Sequence, residues 1–211
     1  MHITGEAIAE MEERYRVFFV NSLSGFKSAN LIGTVSEAGH TNACMVSSVV
    51  HIGSNPPLLA FFSRPNTVRR DTLENIHATG CFTINHVHDR FFEAAHQTAA
   101  RYEAEESEFD MAGLDIEQSD LLKAPFVAGS PLQIGLEHRQ TLDLDINGCH
   151  MVIGEVVEVR FDDSLIREDG SMDLNAAGSL VVSGLDQYHR TESIARLSYA
   201  KPDQPVTRLD S

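Results

Sequence analysis

Two short polar stretches carry the side chains best suited to bind a flat, phosphate-bearing ligand. The first lies along a predicted strand, where small polar groups let a ring approach the backbone: Thr41, Asn42, Ser47 and Ser48. The second runs from a strand end to a helix start and is the densest basic cluster of the chain: Ser63-Arg64 and Arg69-Arg70-Asp71-Thr72. Arginines, hydroxyls and the free N–H groups of a helix N-terminus bind phosphate without a glycine-rich loop.

A purely structural explanation of the same residues stays open at this point. Arg69 and Arg70 are also suited to pair with surface carboxylates, and Asp71 is a good cap for the helix that follows. The usual nucleotide motifs, GxGxxG after a strand and GxxxxGK[ST], are absent from the sequence. A nucleotide-bearing ligand would therefore depend on the arginine cluster.

The histidines and cysteines raise two further hypotheses, and their spacing disfavours both. His86-Val87-His88 places two imidazoles on one face of a strand, and Asp89 or His96 would complete a metal site. The spacing fixes no third ligand, so two half-exposed histidines at a strand end are the simpler explanation and we expect no metal. A Cys–His hydrolase is also disfavoured, because Cys149 and His150 are neighbours on a predicted strand and point to opposite faces.

Short β-type runs and a few helices must position these residues. The predicted strands are Ala29–Ser36, Met45–Ile52, Leu58–Phe62, Cys81–Val87, Leu132–Ile146 and Cys149–Phe161, the last two joined at the hairpin dipeptide Asn147-Gly148. The predicted helices are a core-covering amphipathic one with Ile8, Met11, Tyr15, Phe18 and Phe19, a short one from Asp71, and one over Phe91–Ala100. Strands and helices do not alternate regularly. The order therefore favours a mainly β, antiparallel barrel with peripheral helices over a doubly wound parallel sheet.

Composition and charge exclude several kinds of partner. The 211 residues have a net charge of −15 and a pI near 4.9, which repels polyanions, so we expect no nucleic-acid partner. No apolar run reaches the roughly 20 residues of a membrane-spanning helix, and the first residues lack a secretory signal pattern. Three widely spaced cysteines suit a reducing compartment. We therefore expect a cytoplasmic protein with one domain over residues 1–211 and no membrane partner.

A series of motifs in the right order resembles the flavin reductase-like family of FMN-binding split barrels. The matching stretches are Thr41-Asn42-Ala43-Cys44-Met45-Val46-Ser47-Ser48, Asn55-Pro56-Pro57, Arg70-Asp71-Thr72-Leu73-Glu74-Asn75-Ile76, Gly80-Cys81-Phe82-Thr83-Ile84-Asn85, Ser130-Pro131 and His150-Met151-Val152-Ile153-Gly154-Glu155-Val156. Two positions depart from the family pattern, which often has proline in place of Met45 and lysine in place of Arg70. Arginine is a good substitute there, because its guanidinium binds phosphate with two hydrogen bonds.

The resemblance implies a six-stranded antiparallel Greek-key split β-barrel that forms a homodimer with FMN near the subunit interface. The residues that it places against the flavin are Asn42, Ala43, Ser47 and Ser48. Those that it places around the phosphate are Ser63, Arg64, Arg70 and Thr72, with Asn75 bracing the loop. His150 lies where nicotinamide approaches in some members of the family; a buried histidine hydrogen-bonded to the backbone is the alternative.

The resemblance also implies an activity. We expect an FMN-dependent oxidoreductase in which NADH or NADPH gives a hydride to flavin, and the protein holds the ring and excludes water. An FMN-binding electron carrier or flavin-storage protein without nicotinamide turnover is the alternative. A split barrel that has lost FMN is the third possibility.

Overall fold

The computed structural model describes residues 1–65, 71–103 and 105–209. Its α-helices are α1 (Gly5–Ala9), α2 (Glu13–Leu23), α3 (Asp71–Thr79), α4 (Phe92–Gln97) and α5 (Glu108–Ala112), with a 3-10 turn over Asp163–Leu165. The longer strands are β2 (Asn30–Val35), β3 (Thr41–Val46), β4 (Val50–Ser54), β5 (Pro57–Ser63), β6 (Cys81–His86), β9 (Leu132–Leu144) and β10 (Cys149–Phe161). The short ones are β1 (Lys27–Ser28), β7 (Ile116–Glu117), β8 (Phe126–Val127), β11 (Val181–Ser183), β12 (Gln187–His189), β13 (Arg196–Leu197) and β14 (Arg208–Leu209).

The longer strands form one seven-stranded sheet in the order β3-β2-β6-β9-β10-β5-β4, and each neighbouring pair is antiparallel. The predicted mainly β architecture with helices at its periphery is thus found. The predicted run Met45–Ile52 divides into two strands at residues 47–49. There the Ser48 hydroxyl donates to the carbonyl of Phe62 at 3.1 Å and accepts from the Phe62 N–H at 3.0 Å, which fixes the bend against β5.

Apolar side chains are buried on both faces of this sheet. Ile32 and Leu31 are neighbours on β2 and point to opposite faces, so they belong to two different hydrophobic clusters. Helix α3 covers the first cluster through Leu73 and Ile76, whereas α5 covers the second through Phe109. The strands and helices that carry the polar residues of interest are therefore fixed by packing on both sides.

The N-terminal segment differs from the prediction. It forms two helices rather than one, because the Glu12 carboxylate accepts hydrogen bonds from the N–H groups of Arg14 and Tyr15 and starts α2. Neither α1 nor α2 has a buried residue, and the Tyr15 side chain is 62% exposed. The prediction that this segment covers the core is wrong for this chain. In the part of the chain that the structure describes, no helix is long and apolar enough to cross a membrane.

Gly33 of β2 lies against the segment before β8, and this close approach predicts a large effect of substitution. An added Cβ would lie 2.5 Å from Thr83 Oγ1 and closer still to the Pro125 carbonyl, the two groups that share a 2.7 Å hydrogen bond. We expect Gly33→Ala to lower the free energy of unfolding by about 1–3 kcal/mol in urea denaturation, the usual cost of overpacking. Gly53→Ala in β4 is the control, since its Cβ would meet only Pro56 O at 3.6 Å, and equal losses in both variants would contradict the prediction.

Candidate functional site

A buried polar network joins β2, β3, α3 and α5 around the side chain of Asn42. The Asn42 Oδ1 accepts hydrogen bonds from Thr72 Oγ1 at 2.8 Å and Thr34 Oγ1 at 3.2 Å, while its Nδ2 donates to Glu108 Oε2 at 2.8 Å. Asn75 Nδ2 donates to Thr34 Oγ1 at 3.2 Å. Asn42, Thr72 and Asn75, three residues that the motifs singled out, therefore lie in one network of protein hydrogen bonds, and their predicted contacts with FMN stay predictions.

Glu108, like Thr34, is a member of this network that the sequence did not reveal. Its carboxylate also accepts from the Ala43 N–H at 3.3 Å, so it satisfies the backbone of β3 at the point where a flavin contact was predicted. It follows a stretch, residues 101–107, that reads as a solvated acidic surface, and its partners lie about 65 residues earlier in the chain. No local pattern signals a contact over that separation.

The pKa of Glu108 is raised, mainly because burial disfavours its charged form, and the charge of Asp71 adds to the rise. Hydrogen bonds from its own backbone, Ala43 and Asn42 lower the pKa but do not cancel the rise. A carboxyl group whose pKa is higher in the folded state binds more protons there. Its contribution to stability is therefore present at low pH and is lost as pH rises through the folded pKa.

Glu108→Gln removes this titration and keeps an acceptor for Asn42 and Ala43. We expect its free energy of unfolding to fall less than that of the parent protein between pH 4 and pH 7, as measured by thermal unfolding at matched ionic strength. Glu6→Gln on α1 is exposed and serves as the control. Parallel curves for the parent protein and Glu108→Gln would show that the buried carboxylate costs no stability.

A cavity of about 260 Å³ lies between β3, α3 and α5 beside this network. Its walls carry the carboxylates of Asp71, Glu103, Glu105, Glu106 and Glu108. So many acidic groups repel a phosphate, so the interior of this cavity is a poor site for one.

Three predicted cofactor residues, Ser47 after β3 and Ser63 and Arg64 at the end of β5, have side chains with few or no hydrogen bonds to the described residues. The Ser47 hydroxyl makes no hydrogen bond among the described residues, and the Ser63 hydroxyl makes only a long one, 3.5 Å, to the Arg64 carbonyl. Arg64 is exposed and pairs with no carboxylate in residues 1–65, 71–103 or 105–209, although the chain is strongly acidic. Hydroxyls and a guanidinium are groups that donate hydrogen bonds to a phosphate, so the chemistry of these residues suits the phosphate of FMN.

Of the remaining predicted residues, two bond to other protein groups and one lies outside the described residues. The Ala43 N–H donates to Glu108 and so ties β3 to α5. The Ser48 hydroxyl bonds to the Phe62 backbone and holds the β3–β4 bend in place. Arg70, together with Arg69, lies outside the described residues, and its role stays a prediction.

His150 stands opposite Ser63 in the pairing of β10 with β5, which brings it to the same edge of the sheet. Its Nδ1–H donates to Asp143 Oδ1 at 2.6 Å, and the imidazole is 18% exposed against 74% for the carboxylate. The ring thus bonds to a side chain rather than to the backbone, and its Nε2 makes no hydrogen bond within residues 1–65, 71–103 and 105–209. Asp143 was not identified from the sequence.

Comparison with known proteins agrees with the fold and the motifs. A profile of the flavin reductase like domain matches residues 23–180, and the chain belongs to this family. A crystal structure from Shewanella frigidimarina, of a protein assigned as a flavin reductase with a split barrel domain, is 48% identical, has a TM-score of 0.91 and covers 95% of this chain and 100% of its own.

Two more distant structures show the same fold. Nitrilotriacetate monooxygenase component B from Bacillus cereus is 20% identical with a TM-score of 0.82 and covers 93% of this chain and 98% of its own. The 2-nitrobenzoate 2-nitroreductase NbaA from Pseudomonas fluorescens is 22% identical with a TM-score of 0.81. It covers 97% of this chain and 98% of its own. The predicted split-barrel class is confirmed, although the main sheet has seven strands where six were expected. Family and fold together define a flavoprotein of the oxidoreductase type.

Proposed function

We propose that the protein is an FMN-dependent oxidoreductase that accepts a hydride from NADH or NADPH. The observation that carries this proposal is the set of unsatisfied polar groups, Ser47, Ser63 and Arg64, on one edge of a flavin reductase-like fold. Ser47 directly follows β3, which the Asn42 network holds. The hydrogen bonds between Ser48 and Phe62 fix that bend against β5, which ends at Ser63, so the donors are preorganised. Bound FMN would supply the hydride-accepting ring, which no side chain provides.

Each predicted residue receives a role consistent with its contacts. Ser63, Arg64 and Arg70 bind the phosphate, and Ser47 contacts the flavin ring. Asn42, Ala43, Ser48, Thr72 and Asn75 hold the surrounding backbone, and Thr72 also presents the first turn of α3 to the phosphate. We assign His150 to the nicotinamide side of the flavin, where the Asp143 carboxylate fixes its ring orientation.

The proposed protein is a homodimer of single-domain chains, 1–211, that works in the cytoplasm. Exposed apolar side chains adjoin the site on β4 and β5, with Val50 40%, Ile52 43% and Phe62 37% exposed. A second copy packed over them would exclude water from the flavin and complete the binding site. Light scattering coupled to size exclusion tests this, and a monomer that binds FMN fully would contradict it.

An anaerobic spectral titration distinguishes the oxidoreductase from a flavin carrier. The purified protein is mixed with FMN, the shifted spectrum of bound flavin is recorded, and NADH and NADPH are added separately. We expect one or both nucleotides to bleach the bound flavin at a catalytic rate. Bound flavin that stays oxidised with both would favour an electron carrier or storage protein, and absence of any binding would overturn the site assignment.

His150→Ala separates a role in hydride transfer from a role in binding. We expect the rate of flavin reduction to fall by about 2- to 12-fold, because the variant loses one hydrogen bond in the reacting complex. The Kd for FMN should stay unchanged. Stopped-flow absorbance gives the rate, and fluorescence quenching gives the Kd. An unchanged rate would leave His150 with a structural role only.

A further inference from the structure

Two histidines and a threonine converge at the far end of α3 from Thr72. His77 is in the last turn of α3, and His138 and Thr141 are on β9. The Nε2 atoms of the two rings lie 3.0 Å and 2.9 Å from the same atom, Thr141 Oγ1, and the ring centroids are 5.4 Å apart. Nothing in the flavin chemistry uses these side chains.

The Thr141 hydroxyl cannot make the same kind of hydrogen bond to both imidazoles. It has one proton, so it donates to one imidazole and must accept an N–H from the other. Both Nε2 atoms nevertheless point toward one small region of space, which is the arrangement that a metal ion needs from two imidazole ligands. Zinc-like ions bind imidazole nitrogen at about 2.0–2.1 Å, a distance that small side-chain rotations reach from centroids at this separation.

We propose that His77 and His138, with Thr141 beside them, form an open binding site for a late first-row divalent ion such as Ni²⁺, Cu²⁺ or Zn²⁺. Neutral imidazole selects these ions over Mg²⁺ and Ca²⁺, which prefer oxygen ligands. Among the described residues no group of three or more His, Cys, Asp or Glu side chains is placed to hold a metal. Water and the Thr141 hydroxyl therefore complete the coordination, and the site stays accessible.

The two rings differ in exposure. His77 is exposed and so open to the ion, whereas His138 is half-buried on the sheet. The ion would therefore approach the pair from the side of α3.

Calorimetric titration of the tag-free, full-length protein with NiCl₂ tests the proposal. Ni²⁺ is the probe because imidazole suits it, while the thiols of Cys44 and Cys149 compete more strongly for Zn²⁺. We expect saturation at one ion per chain. His77→Gln and His138→Gln should each weaken binding by about tenfold or more, since even loss of an outer-shell partner costs about that much. The control, His40→Gln, removes an exposed histidine and should bind Ni²⁺ like the parent protein.

A second measurement guards against loss of fold. Ni²⁺ should raise the Tm of the parent protein and of His40→Gln, and should leave the Tm of His77→Gln unchanged, because an ion that binds only the folded state stabilises it. His77 is exposed on α3, so its replacement decides the question even if His138→Gln unfolds. No saturable Ni²⁺ binding by the parent protein, or equal binding by His77→Gln, would overturn the proposal.

Discussion

Replacing Arg70 with alanine should weaken FMN binding by about 1.5–3 kcal/mol, which is the size of a charge-assisted hydrogen bond to a phosphate. The expectation comes from the Arg70-Asp71-Thr72 motif and from the acidity of the chain. With a net charge of −15, few cations are present to hold a dianionic phosphate, so each one near it matters. Fluorescence quenching of FMN measures the Kd directly.

Two further variants make the Arg70→Ala result specific. Arg14→Ala removes an exposed arginine on α2 and should leave the Kd unchanged, which controls for the loss of one positive charge. Arg64→Ala should weaken binding as well, because Arg64 has no acidic partner among the described residues. If Arg70→Ala binds FMN normally and Arg64→Ala does not, Arg64 at the end of β5 binds the phosphate without help from Arg70.

Replacing Asn42 with alanine should lower the free energy of unfolding by about 3 kcal/mol or more. The change removes the acceptor of the Thr34 and Thr72 hydroxyls and one of the donors to the Glu108 carboxylate, and a buried polar group that loses its partner costs about 1–3 kcal/mol. Thr34 then keeps only its bond from Asn75, and Glu108 its bond from the Ala43 N–H. Urea denaturation measures the loss. The FMN affinity of the folded fraction should fall too, because β3 leads directly into the bend that carries Ser47.

The matched control is Asn21→Ala on α2, where the amide donates to the Val17 carbonyl in an exposed position. Its effect should stay within about 0.5 kcal/mol, as for most surface substitutions. Asn42→Asp adds a sharper test, since it places a second carboxylate against Glu108 and should be less destabilising at acid pH than at neutral pH. An Asn42→Ala protein as stable as Asn21→Ala would show that the network does not hold β3, α3 and α5 together.

The sequence predicted those parts of the fold that local chemistry determines. Strand β10 has the predicted bounds, and the turn at Asn147-Gly148 lies between the two long strands, where Gly148 takes a φ of 71°. The helix from Asp71 begins where predicted. The network that joins Asn42, Thr72 and Asn75 was not predicted, although the motifs had singled out each of the three residues.

Longer-range contacts were not predictable, and the reasons are physical. A two-residue turn at Asn147-Gly148 would place Asp145 opposite His150, but β9 ends at Leu144 and a longer turn puts Asp143 there instead. The partner of the predicted catalytic histidine thus depended on the length of one turn. The exposure of α2 was also hidden, because apolar residues at helical spacing indicate an apolar face without saying what covers it.

The central claim is that this chain binds FMN and passes a hydride to it from a nicotinamide. Anaerobic stopped-flow absorbance of the FMN-loaded protein, mixed with NADH or NADPH carrying either hydrogen or deuterium at the transferred C4 position, tests it most directly. We predict that the flavin absorbance bleaches in one dominant phase with at least one nucleotide, and that deuterium slows this phase. Bound flavin that neither nucleotide reduces would contradict the claim.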